Sequence, residues 1–259
     1  MNKEPSKSDP EPITTPEAPF QKGTTATLHP PRVHTMRMGH LPLTIFVTVA
    51  ISGLFALAFE LGSAPVIVGI ALLALLIVFA AITPSTSDSP PTAGTRFTVA
   101  RVAMTCLIGG LAVVPAGNPP EPLLWSLALM GIVAAGLGAI DGWLARITCS
   151  NSGFSERLGG LAGTLLVLAL ALLVWRLGLV GPWIIAAGAL GFAEAAMLAG
   201  QKNQQRETWQ IGATLLVRLA LAIAIIPDVP QLSVTMLALL ATSVAVGLLG
   251  YTLVDRLNN

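Results

Sequence analysis

Residues Gly138 to Gly163 read GAIDGWLARITCSNSGFSERLGGLAG. The stretch leaves one apolar run, crosses a polar patch at residues 146–157 and enters a second apolar run. Two long apolar runs joined by a short polar patch read as two helices in hydrocarbon with a turn at the water boundary. Asp141, Arg146, Glu156 and Arg157 gather here, so this crossing is where chemistry is expected.

The rest of the chain supplies the solvent for that reading. Of 259 residues, 54% are hydrophobic and only 10% charged. A soluble domain carries about 25% charged residues. So few charges cannot cover a body of this size in water, and the bilayer is the natural solvent for the excess apolar surface. A net charge of +1 offers no basic patch for nucleic acid. Cys106 and Cys149 fit no metal or disulfide spacing and read as packing or loop residues. His29, His34 and His40 lack regular ligand spacing, so no metal site is expected there.

In chain order, residues 1–40 are polar and proline-rich and hold all three histidines. They cannot offset the entropy of ordering by burial and read as a disordered cytoplasmic tail. The tail is too long and too rich in proline for a signal-peptide n-region. The runs Leu41–Leu61 and Ala64–Ile82 read as a transmembrane hairpin (residues 41–82), turning at Gly62, Ser63 and Pro65 with Glu60 at its outer tip. Residues 83–95, TPSTSDSPPTAGT, are a linker by composition. Residues 96–259 form a membrane body of six runs: Phe97–Val114, Leu123–Ala145, Leu158–Val180, Trp183–Ala199, Trp209–Ile226 and Leu232–Leu253. Turn residues separate them, among them Pro115, Pro119, Pro120, Gly181, Pro182, Pro227 and Pro230. The expected fold is all-α and polytopic, with eight spans.

Orientation follows from charge. With the N-terminus inside, twelve of the fourteen basic residues fall on the inner side, Arg176 alone at an outer end, and Arg218 within a span. That asymmetry obeys the positive-inside rule. Trp125, Trp175 and Trp183 map to outer ends, and Trp143 and Trp209 to inner ends, as an aromatic belt requires. Both termini and the patch 146–157 are then cytoplasmic. Glu194 and Arg218 lie inside consecutive spans. Deep charges of this kind read either as a functional pair or as a structural ion pair between helices.

Asp141, Gly142, Ala145 and Arg146 spell D-G-x-x-A-R at the inner end of the fourth span. On a helix Asp141 and Ala145 share one face, and Gly142 and Arg146 the next. An acid beside small residues makes a concave, electronegative spot, and a carboxylate at the membrane boundary needs a partner, a metal or water. Upstream, Thr98-x-x-Arg101 opens the first span of the body.

Together these residues resemble the CDP-alcohol phosphatidyltransferase family, over roughly Gly94 to Arg256. That family's motif is D-x-x-D-G-x-x-A-R, eight residues, then G-x-x-x-D-x-x-x-D, at the cytoplasmic ends of two helices in a six-helix membrane body. The Thr98–Arg101 pair looks like the T-x-x-R of its first helix. The resemblance implies a six-helix body of that type behind the N-terminal hairpin. It implies phosphatidyl transfer from CDP-diacylglycerol to an alcohol, releasing CMP, with Mg²⁺ or Mn²⁺. It implies Asp141 as a metal ligand, and Thr98, Arg101, Gly142, Ala145 and Arg146 as substrate-binding residues. The implied partners are membrane lipid and CDP-diacylglycerol or a related CDP-linked lipid, with a homodimer as an option, in a bacterial inner membrane.

The sequence departs from that pattern at the acids. Asp141 matches the second aspartate, but the first falls at Gly138, the later glycine at Ser155, and the last two aspartates at Gly159 and Gly163. The resemblance makes the first three aspartates metal ligands and the fourth the base that activates the alcohol. One carboxylate does not hold two hard cations, and glycine at 163 takes no proton. No catalytic residue is assigned, and catalysis is expected to be impaired. Glu156 as a substitute base would make an active enzyme with a rearranged site. The alternative from another class is a non-enzymatic partner subunit or a transporter. A transporter should show internal repeats and broken helices, and no clear repeat is present.

Overall fold

Proline and glycine decide where the helices start and stop. In the computed structural model the described residues are 41–82, 93–113, 119–148, 153–199 and 208–258. The expected tail, most of the expected linker, Cys149, Pro115 and the connections around them lie outside these residues. The helices are α1 (Leu41–Ala58), α2 (Ala64–Ile82), α3 (Ala93–Val113), α4 (Glu121–Thr148), α5 (Gly153–Arg176), α6 (Ile185–Ala199), α7 (Thr208–Ile223) and α8 (Gln231–Asn258). A 3₁₀ turn, Pro182–Ile184, leads into α6. Every described element is helical.

α4 begins after Pro120, whose carbonyl accepts from the Leu123 amide at 2.9 Å, and α8 begins after Pro230, whose carbonyl accepts from Val234 at 3.1 Å. Proline lacks the amide that a first turn leaves unpaired, so it sits well at these entries. α5 ends where Gly178 takes φ +70° and the Leu179 amide donates to the Val174 carbonyl at 3.2 Å. This is a left-handed cap that glycine adopts without strain.

Two expected boundaries move. α3 starts at Ala93, inside the expected linker, because no proline follows Pro91 to stop it. The polar patch at 146–157 is mostly helix. α4 runs on to Thr148 and α5 starts at Gly153, leaving only 149–152 between them. Polarity there marks helix ends beyond hydrocarbon, not loss of helix.

Three helices have segments long and apolar enough to cross a membrane: Glu121–Trp143, Leu158–Arg176 and Gln231–Leu257. The chain is a helical membrane protein. Shorter apolar segments lie on the other helices: Thr48–Ala58, Ala64–Val78, Ala100–Ala112, Pro182–Met197 and Trp209–Ile223. Large apolar side chains such as Leu54, Leu57, Ile67, Leu232 and Met236 are exposed, as a hydrocarbon surround allows. Trp125, Trp143, Trp175, Trp183 and Trp209 are also exposed, each near a helix end.

Met38–Asn259 form one compact unit. α5 is its axis, touching α2, α3, α4, α6 and α7. Of its apolar window 72% is buried, against 33% for α4 and 28% for α8. Ile108, Leu127, Leu166, Leu170, Leu221 and Ile225 make the main core. A smaller cluster joins Leu73 and Leu76 of α2, Val102 and Cys106 of α3, and Leu158 and Ala162 of α5. Cys106 is fully buried there as a packing residue. Buried threonines donate to their own helix, Thr105 to the Arg101 carbonyl and Thr252 to that of Leu248, both at 2.9 Å. Such back-bonding satisfies hydroxyls where water is absent.

Candidate functional site

Helices consecutive in the chain run in opposite directions, so the start of α3, the end of α4 and the start of α5 lie at one end of the bundle. Helix rise is about 1.5 Å per residue. By that measure Asp141 stands about 30 Å along α4 from Glu121, close to the thickness of the hydrocarbon core. Arg101, Gly138, Gly163 and Arg218 each lie about 12–15 Å in from their helix ends at the same end of the bundle. Equal depth on touching helices brings them together.

Thr98 is buried and its Oγ1 donates to Asp141 Oδ2 at 2.6 Å, pinning α3 to α4. The length is that of a hydroxyl bonding a carboxylate. Arg101, one turn further, is 5% exposed. Its guanidinium lies over Gly138: a Cβ there would stand 2.8 Å from Cζ and 2.9 Å from Nη1. A Cβ at Gly159 would lie 3.5 Å from Thr98 Cγ2, 3.7 Å from Asp141 Oδ2 and 3.8 Å from Arg101 Nη1. A Cβ at Gly163 would lie 2.5 Å from Arg101 Nη2 and would fall on Arg218 Nη2. The guanidiniums of α3 and α7 therefore meet over a bare stretch of α5. Both arginines have partners within the chain, although the Nε of each makes no hydrogen bond.

Beside Arg218 is a cavity of about 30 Å³, bounded by Gly163, Thr164, Glu194, Thr214 and Arg218 among others. That volume suits a water molecule. Thr164 and Thr214 donate to Leu161 and Ile211 carbonyls at 2.9 and 3.0 Å, so Glu194 and Arg218 give the cavity its polarity. Glu194 is 4% exposed.

Of the residues expected at the site, Thr98, Arg101 and Asp141 come together. Gly142 lies one position on from Asp141 with open space where a Cβ would be. Ala145 and Arg146 belong to α4, and their side chains, like that of Glu156, lie outside the described set. The sequence singled out Arg218 as a deep charge together with Glu194, but did not join it to this site. It placed that residue in a span, apart from Asp141, whereas depth measured from each helix start puts it level with Gly163.

The donor set does not fit a divalent cation. Such ions want several oxygen ligands. Among the described residues no group of three His, Cys, Asp or Glu side chains converges. Asp141 is the one carboxylate at the four motif positions, and guanidinium occupies the space over Gly138 and Gly163.

No family model, curated protein or solved structure matches the chain.

Proposed function

We propose that this chain is a membrane protein of the CDP-alcohol phosphatidyltransferase type, placed in phospholipid metabolism, whose capacity for phosphatidyl transfer is impaired. The observation that carries the reading is the joining of two motifs 43 residues apart by the Thr98–Asp141 hydrogen bond. Its surroundings support it. Gly138, Gly159 and Gly163, the positions at which the resemblance expects acids, border this same spot. Small residues at crossing helices allow such close approach.

In this reading all eight helices cross the bilayer, with both termini cytoplasmic and the Asp141 end on the cytoplasmic side. The exposed tryptophans and the distribution of Lys and Arg favour that orientation. The family reaction would move the phosphatidyl group from CDP-diacylglycerol to an alcohol and release CMP. Here Asp141 is held by Thr98, and position 163 carries no base, so neither metal binding nor deprotonation of the alcohol is provided for. The filling of the acid positions by guanidinium also favours a second reading, a non-enzymatic partner subunit built on the same body.

The test is CMP release from CDP-diacylglycerol by the purified protein across a panel of alcohols, with and without Mg²⁺. The expected result is no metal-dependent release above that of Asp141→Asn. Metal-dependent release that Asp141→Asn abolishes would establish an active enzyme instead.

A further inference from the structure

We infer that Arg101 and Arg218 are the resident cations of this site, fixed guanidiniums that take the place of divalent metal. The inference rests on the family reading above, which locates the missing acids at Gly138, Gly159 and Gly163.

Three observations carry it. The first is steric. At Gly138 an added Cβ would stand 2.8 Å from Arg101 Cζ, and at Gly163 it would stand 2.5 Å from Arg101 Nη2 and fall on Arg218 Nη2. At these two positions the volume that an acid side chain would need is occupied by positive charge. The second is electrostatic. Two guanidiniums converging on one point repel strongly where water is scarce, and arginine does not shed its proton. Two acids face them. Asp141 Oδ2 and Arg101 Nη1 border the same position at Gly159, and Glu194 borders the cavity with Arg218. Two positive and two negative groups make a neutral quartet, and a divalent cation added to it would be uncompensated. The third is chemical. A guanidinium offers donors in a planar fork that matches carboxylate. A carboxylate restored at Gly163 would meet two such forks before it met a metal.

Arg218 is the deciding member. Arg101 belongs to the T-x-x-R pattern and is expected beside acids. Arg218 lies outside the motif and comes from α7. It is a second positive charge over α5 that the motif spacing does not supply.

The experiment uses the whole chain in lipid nanodiscs with Mn²⁺ as the probe, read by the electron paramagnetic resonance of free Mn²⁺ and by thermal unfolding in EDTA against Mn²⁺. The wild type should leave Mn²⁺ free and unfold at the same temperature in both. Gly138→Asp, Gly159→Asp and Gly163→Asp combined set five acids against the two guanidiniums and should bind Mn²⁺ only weakly, because the guanidiniums repel the ion and hold two of the carboxylates. Adding Arg218→Met leaves five acids against Arg101 and should raise Mn²⁺ affinity by about tenfold or more over the triple variant. Binding of Mn²⁺ by the wild type, or by the triple variant as tightly as by the quadruple variant, overturns the inference and leaves the family reading standing. A folded quadruple variant that leaves Mn²⁺ free shows that these are not metal positions and overturns both. If the quadruple variant does not fold, Arg218→Gln takes the place of Arg218→Met on the same triple background and is read in the same way.

Discussion

At the residue scale, Thr98 and Asp141 make the clearest claim on each other. A buried hydroxyl bonded to a carboxylate at 2.6 Å should contribute about 2 kcal/mol, in the range of bonds to charged groups. Thr98→Val keeps the shape and removes the donor. It should lower the unfolding temperature in detergent, while Thr98→Ser should retain most of it. Glu194 and Arg218 bound one cavity, and Glu194 is 4% exposed. Glu194→Gln and Arg218→Met should each destabilise, because each leaves an uncompensated charge within the bundle. The double variant should cost less than the sum, with a coupling of about 1–3 kcal/mol in a double-mutant cycle of unfolding. Additive losses would show that the two side chains act apart. Thr98, Arg101 and Asp141 were legible in the sequence because motif spacing names them. Arg218 was not, because nothing local marks a lone arginine in an apolar run as the neighbour of a glycine 55 residues earlier.

At the element scale, glycines divide into those that touch and those that do not. A Cβ on Gly110 of α3 would fall on the Pro65 carbonyl oxygen of α2 and lie 3.0 Å from the Gly69 amide. One on Gly188 of α6 would stand 2.7 Å from Leu168 Cα of α5. Backbone cannot step aside as a side-chain tip can, so Gly110→Ala and Gly188→Ala should each cost about 1–3 kcal/mol. Gly136 and Gly247 meet nothing within 4 Å. Alanine there should be neutral or stabilising by about 0.5–1 kcal/mol, since it holds a helix better. Thermal unfolding of the four variants tests the order. The α1–α2 turn gives a further case. Glu60 adopts φ 52°, and the Leu61 amide donates to the Ala56 carbonyl at 3.0 Å. A side chain in that left-handed region costs about 1–2 kcal/mol. Glu60→Gly should therefore raise the unfolding temperature. The sequence marked this turn through Gly62 and Pro65, but it did not show that the strained residue is a glutamate.

For the whole molecule, the prediction concerns sides. Glu121 and Asp228 are exposed at the end of the bundle opposite Asp141. In a chain with Cys106 and Cys149 replaced, a cysteine at either position should react with an impermeant maleimide from outside intact cells. A cysteine at Lys202 should react only after permeabilisation. The reverse pattern would invert the orientation. The edge-to-face pair of Trp209 and Tyr251, ring centroids 4.9 Å apart, belongs to the Asp141 end, where α7 starts and α8 finishes. Aromatic rings of this kind favour the interface, where one edge is wet and one face is apolar.

The sequence alone determined that this is an all-helical membrane chain, where its helices turn, and which end of α3, α4 and α5 holds the polar residues. Those properties follow from hydropathy and from proline and glycine, which act along the chain. Only the tertiary structure decided what fills the space beside Asp141. It brought α7 against α5, so that Arg218 and Arg101 meet over Gly163. The glycines read in sequence as losses. In the fold they are the clearance that two guanidiniums need, and clearance is a relation between helices that no single stretch of sequence carries.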